Sequence, residues 1–102
     1  KKFLKKNKNQ SLEDIGNQFR SPGHVPICKA SKKPLRNRFG HTELATSLMT
    51  MAGITAVACG CEIMGDDGKA LSKEEAKRYA DKHGLTFLEG KEIIKSWKTW
   101  SP

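Results

Sequence analysis

ITAVACGCEIM, residues 54–64, is the most strand-like stretch of this chain, and its reading decides the fold. Ile54, Thr55, Val57 and Ile63 are β-branched, a side-chain shape that suits a pleated backbone. Ala56, Ala58 and Gly60 are small, which suggests close packing on both faces. Cys59 and Cys61 fall on one face of such a strand and read as small buried hydrophobes, while Glu62 falls on the other. Gly65-Asp66-Asp67-Gly68 closes the stretch as a turn.

Outward from this strand, helical and strand patterns alternate. Thr42 is placed to cap a helix running to about Ala52, with Leu44, Ala45, Leu48, Met49 and Ala52 on its apolar face and Gly53 at its end. Residues 24–30, HVPICKA, read as a second strand with Pro26 near its start or at an edge, and residues 35–39 as a short third one. Ser11 and Asp14 open a short helix over about 12–19, which Ser21-Pro22-Gly23 terminates. Downstream, Ser72 and Glu75 form a capping box for a helix reaching about His83, before Gly84. Residues 85–88 read as a last strand, and residues 91–100 as a closing helix with Ile93, Ile94, Trp97 and Trp100 on one face. Such alternation predicts an α/β or α+β layered architecture.

At 102 residues the chain suits one domain, in two parts. Residues 1–10 form a basic lead-in with Lys1, Lys2, Lys5, Lys6 and Lys8, and residues 11–102 form a single unit. A chain of this size buries roughly 65% of its unfolded surface. No apolar run approaches the roughly 20 residues of a membrane span, and Phe3 and Leu4 between lysines do not make a secretory signal. A start at Lys1 is expected of a fragment, a processed chain or a chain with an upstream portion. Three cysteines (Cys28, Cys59, Cys61) with no C-x-x-C pair do not form a secreted disulfide framework and point to a reducing cytoplasm; a zinc site from these three and a histidine is the alternative. The net charge of +8 suits either an anionic partner or a lysine-rich solvated surface.

Three places can carry chemistry. NRFGHTE, residues 37–43, puts Arg38, Phe39, Gly40, His41 and Thr42 where a loop turns into a helix. Free amides at a helix start attract anions, arginine pairs with phosphate, and histidine binds a metal or moves a proton. A surface cap with an incidental histidine explains the same letters. Glu62, a carboxylate near the end of an apolar strand, needs a partner if buried and nothing if it faces solvent. His24 follows Ser21-Pro22-Gly23 at a strand head, where a histidine is either a site residue or part of the turn.

Taken in order, FRSPGHVPI (19–27), RFGHTELA (38–45), ACGCEIMGDDGKAL (58–71) and YADKHGLTFLEGKEII (79–94) are similar to the C-terminal half of the 3,4-dihydroxy-2-butanone 4-phosphate synthases. That family reads R-P-G-H-V, R-x-G-H-T-E, C-E-(I/L)-x-(N/D)-(D/E)-G and F-A-x-K-H, and four linked motifs are far more specific than one. The resemblance implies an α+β sandwich, a mixed sheet flanked by helices. It implies a cytoplasmic, homodimeric lyase that converts ribulose 5-phosphate to 3,4-dihydroxy-2-butanone 4-phosphate and formate with magnesium or manganese, two ions in the complete site. It places substrate binding at Arg38, Phe39, Gly40, His41, Thr42 and Glu62, a metal ligand at His41, and catalysis at His24 and Glu62.

The departures from the family pattern are specific. No R-E-G-D-like segment occurs here, whereas in the family the N-terminal half supplies an acidic metal ligand, an adjacent arginine and an aspartate from a flexible loop. The missing N-terminal half is therefore an expected partner, because one histidine does not hold an ion that prefers oxygen. Cys59-Gly60-Cys61 stands where bulkier aliphatics are usual. Two alternatives remain: a basic nucleic-acid-binding module and a purely structural relative. The first wants exposed aromatics among basic residues, whereas Phe19 and Phe87 read as buried and Trp97 and Trp100 as one apolar stripe. Neither nucleic acid nor membrane is expected as a partner.

Overall fold

A computed structural model of the chain describes residues 8–100. Four helices follow in order: α1 Lys8–Gln18, α2 His41–Met51, α3 Lys73–His83 and α4 Gly90–Trp100. Among the described residues there is no sheet. Two isolated bridges, a parallel one between Pro34 and Arg38 and an antiparallel one between Met64 and Ala70, are all that is β-like. This overturns the expected α+β arrangement of a mixed sheet flanked by helices.

The reason lies in how each kind of element satisfies its backbone. A helix closes its hydrogen bonds within itself, while a strand needs a neighbour to receive its amides and carbonyls. Residues 24–30 join no ladder. In the 54–64 stretch the Val57 amide donates to the Thr55 carbonyl at 2.7 Å, a tight turn that folds the chain on itself. Residues 35–39 are a turn instead of a strand, with the amides of Arg36 and Asn37 both donating to the Lys33 carbonyl at 3.3 Å. Residues 85–88 stay irregular. Without pairing, Cys59 and Cys61, read as buried, are exposed. Cys28 is exposed too, Val25 is 75% exposed and Ile27 98%. Phe19 is exposed as well, contrary to expectation, and Phe87 is half-buried.

The helices follow their local signals closely. In α3 the Glu75 amide donates to the Ser72 hydroxyl at 3.3 Å and the Ser72 amide to Glu75 Oε2 at 3.2 Å, the reciprocal pair read from the sequence. Gly84 ends the helix at φ 62°, a left-handed conformation that favours glycine. α1 is already helical at Lys8, ahead of the predicted start, and ends at Gln18. α2 is capped by Gly40 and not by Thr42, which lies inside its first turn.

α2 packs on α4. At Gly90 the two helices come close, since a Cβ there would lie 3.2 Å from Leu44 Cδ1. Ile93, Ile94 and Trp97 are half-buried on α4, and the Trp97 and Trp100 rings stack at 5.2 Å. Among the described residues, Leu35 and Ala80 are the buried apolar ones. The fully enclosed side chains are polar: Glu43 and Ser47, one turn apart on α2. This packed part of the molecule carries the loop in which the candidate site lies.

Candidate active site

Glu43 organises the loop that leads into α2. It sits in the first turn with none of its surface exposed, and its Oε1 accepts the Ser31 amide at 3.0 Å. Its Oε2 accepts the Gly40 amide at 3.2 Å and stands 3.6 Å from Arg38 Nε. One carboxylate thus joins the start of the loop, its last residue and its arginine. Glycine at the cap has no side chain to offer the helix, so the capping bond comes from Glu43 reaching back. Burial pushes the Glu43 carboxyl up, but the Ser31 amide, its own amide, the Arg38 charge and the Gly40 amide together hold it below the ordinary glutamate range. It is a buried carboxylate kept ionised by its partners.

Above this carboxylate, Arg38, Phe39 and His41 are exposed and Gly40 and Thr42 half-buried. The Arg38 side chain is 65% exposed. The Gly40 carbonyl accepts the Leu44 amide at 3.0 Å, the first bond of the helix, so the amides of His41 and Thr42 precede the intrahelical ladder. Thr42 gives its carbonyl to the Thr46 hydroxyl at 2.7 Å. This arrangement suits an anion: positive charge, early helix amides and a glycine at one spot.

His24 and Glu62 stand on the irregular segments, both exposed. Neither side chain forms a hydrogen bond or ion pair among the described residues, and nothing joins them to residues 38–42. No group of three or more His, Cys, Asp or Glu side chains gathers to hold a metal among the described residues, which includes the cysteine–histidine alternative. A magnesium ion prefers several oxygen ligands, and His41 alone does not fit one. An open concavity of ≈ 630 Å³ lies elsewhere, between Met64, Asp66, Leu71, Glu75 and Tyr79, and takes in none of the expected site residues.

The sequence reading missed Glu43. The available signal was its spacing: an acidic residue three positions after Gly40 is the N3 position of a capping box, once the cap is placed at Gly40.

Comparison with known proteins identifies the lineage. The profile of the 3,4-dihydroxy-2-butanone 4-phosphate synthase family matches residues 5–96. The chain is 51% identical over 88 residues to the 3,4-dihydroxy-2-butanone 4-phosphate synthase of Methanosarcina mazei, covering 85% of this chain and 36% of that protein. It is 48% identical over 86 residues to the same enzyme of Methanothermobacter thermautotrophicus, covering 83% and 38%. A more distant match is the riboflavin biosynthesis protein RibBA of Mycobacterium tuberculosis, 34% identical over 86 residues, covering 82% and 20%. This chain belongs to the 3,4-dihydroxy-2-butanone 4-phosphate synthase family. It spans a little over a third of the length of its archaeal relatives. These matches do not favour the nucleic-acid-binding alternative. No helix among the described residues is long and apolar enough to cross a membrane.

Proposed function

We propose that this chain works as the phosphate-holding and proton-transferring part of a lyase of riboflavin biosynthesis, one that converts ribulose 5-phosphate to 3,4-dihydroxy-2-butanone 4-phosphate and formate. The observation that carries the reading is the family match over residues 5–96, which takes in the loop-to-helix junction at Arg38 to Thr42. Five carbons enter and leave as four plus one, and the water lost early is taken up when formate departs. Arg38 and the first amides of α2 hold the phosphate end. Glu62 takes the carbon-bound proton that starts enolisation, and His24 assists proton transfer or orients the substrate. Phe39, Gly40 and Thr42 line the substrate.

The same reading includes a partner, the amino-terminal part of such a synthase, in a cytoplasmic homodimer. Exposed apolar side chains support it: Val25, Ile27, Val57 and Ile54 are open to solvent, and a partner would cover them. Magnesium or manganese, two ions in the complete site, belongs to the proposal only with oxygen ligands from beyond the described residues. His41 is the ligand that the family likeness assigns to this chain, and no step here depends on the ion.

Formate release from ribulose 5-phosphate tests the reading, measured with and without magnesium. Samples are the chain alone, the amino-terminal part of an archaeal relative alone, and the two together. Formate from the mixture and from neither part alone is the expected result. A mixture whose parts co-elute yet release no formate sinks the reading.

A further inference from the structure

We infer that Glu43 is the positioning residue of the site, drawing the Nε side of Arg38 inward so that the outward end of its guanidinium faces the phosphate of the substrate. The inference rests on the lyase reading above and adds to it a residue that does not itself touch substrate.

Three observations converge. Glu43 is fully enclosed and ion-pairs with Arg38 through Nε at 3.6 Å, while the Arg38 side chain stays 65% exposed. Arg38 Nη2 lies on the same side, 3.8 Å from where a Gly40 Cβ would stand, so the rigid planar fork presents its far end outward. The same carboxylate binds the amides of Ser31 and Gly40, which ties the arginine's direction to the start of α2. The third observation is Gly40. Its φ of −78° is open to any residue, so glycine is not there for backbone freedom. It is there for room: a Cβ would lie 3.0 Å from Glu43 Oε2 and 3.5 Å from Arg38 Nε. A side chain at position 40 would crowd the carboxylate, which would have to shift by a few tenths of an ångström beside the arginine it directs.

A carboxylate beneath an anion seat opposes the anion by charge alone. Its presence is accounted for by direction: an arginine pinned on one edge loses little freedom when it closes on phosphate, whereas a loose one must be ordered at binding. Removing the negative charge would therefore weaken phosphate binding, the opposite of what simple electrostatics gives.

The test uses inorganic phosphate as probe, followed by the NMR shifts of the Arg38 Nε–H and the His41 and Thr42 amides. Glu43→Gln is expected to raise the phosphate Kd up to roughly tenfold, the cost of ordering one long side chain at binding. Arg38→Ala raises it at least as far, and Glu43→Gln added to Arg38→Ala changes nothing more, because the two act as one unit. Arg38→Lys, at an exposed side chain that leaves folding alone, keeps the charge but loses the fork, and is expected to weaken binding like Glu43→Gln. A Kd unchanged or improved in Glu43→Gln, effects that multiply in the double variant, or wild-type binding by Arg38→Lys overturns the inference, as does a wild-type chain that takes up no phosphate at α2. Coupled phosphate binding alongside absent formate release would sink the lyase reading and leave this one standing. Formate release with an unchanged Kd in Glu43→Gln would do the reverse.

Discussion

Residues 31–52 and residues 54–64 are neighbours in sequence and opposites in structure. The first segment turns at Lys33, buries Leu35, gathers two loop amides and an arginine around Glu43, and continues into α2 against α4. The second, which reads more strongly as regular structure, forms no strand, and its side chains are exposed. The difference is one of where polar backbone groups find partners. Residues 31–52 close their bonds over short separations, through turns, a helix and a carboxylate twelve residues away. A β-rich segment keeps its amides and carbonyls unpaired until another strand is laid beside it.

The contrast sets expectations for substitutions, beginning with the most severe. Glu62→Gln, in the irregular segment, should lower turnover of the reassembled enzyme by about 10²–10⁴-fold, the usual share of a proton-transfer group. Its exposed position should leave the helical signal by circular dichroism unchanged; wild-type formate release from this variant would remove Glu62 from catalysis. Leu35→Ala, in the ordered segment, deletes a side chain that is almost fully buried and should lower stability by about 2–4 kcal/mol in urea unfolding.

A smaller effect belongs to the α3 cap. Ser72→Ala should cost about 1 kcal/mol, read as a fall in thermal midpoint. The cap is also pH-dependent. The Ser72 hydroxyl, the Ser72 amide and the Arg78 charge outweigh burial and hold Glu75 below the ordinary glutamate range. A carboxyl whose folded value is depressed adds stability above its unfolded value and loses it as pH falls through the folded one. The Ser72→Ala deficit should therefore shrink under acid, and a deficit constant down to the acid transition would count against the cap. The smallest effect is expected at Ile27→Ser in the chain alone. A side chain so fully exposed should alter stability by no more than about 0.5 kcal/mol. A loss as large as that of Leu35→Ala would show residues 24–30 to be packed and would dissolve the contrast.

The candidate site was legible to the same extent and for the same reason as the fold. Arg38, Gly40, His41 and Thr42 were read from their letters, and they sit together because they are consecutive at a helix start. The Ser72–Glu75 box and the Gly84 terminator were readable because each involves bonds three or four residues apart. Cys59 and Cys61 were misread as buried because burial depends on what faces a segment, which its own alternation does not state. Phe19 failed in the same way.

The amino-acid sequence by itself determined the four helical segments to within a few residues, the loop-to-helix junction at Arg38 to Thr42, and the lineage. Helix signals are local: caps, spacing and glycine terminators act over a turn or two. Only the tertiary structure decided that Glu43 would be enclosed and would bind Ser31 across the loop, that α2 would lie on α4, and that the β-rich stretches would stand open. Those outcomes depend on which distant groups meet, because a strand, a buried charge and a covered apolar face each take their stability from a partner that their own residues do not name.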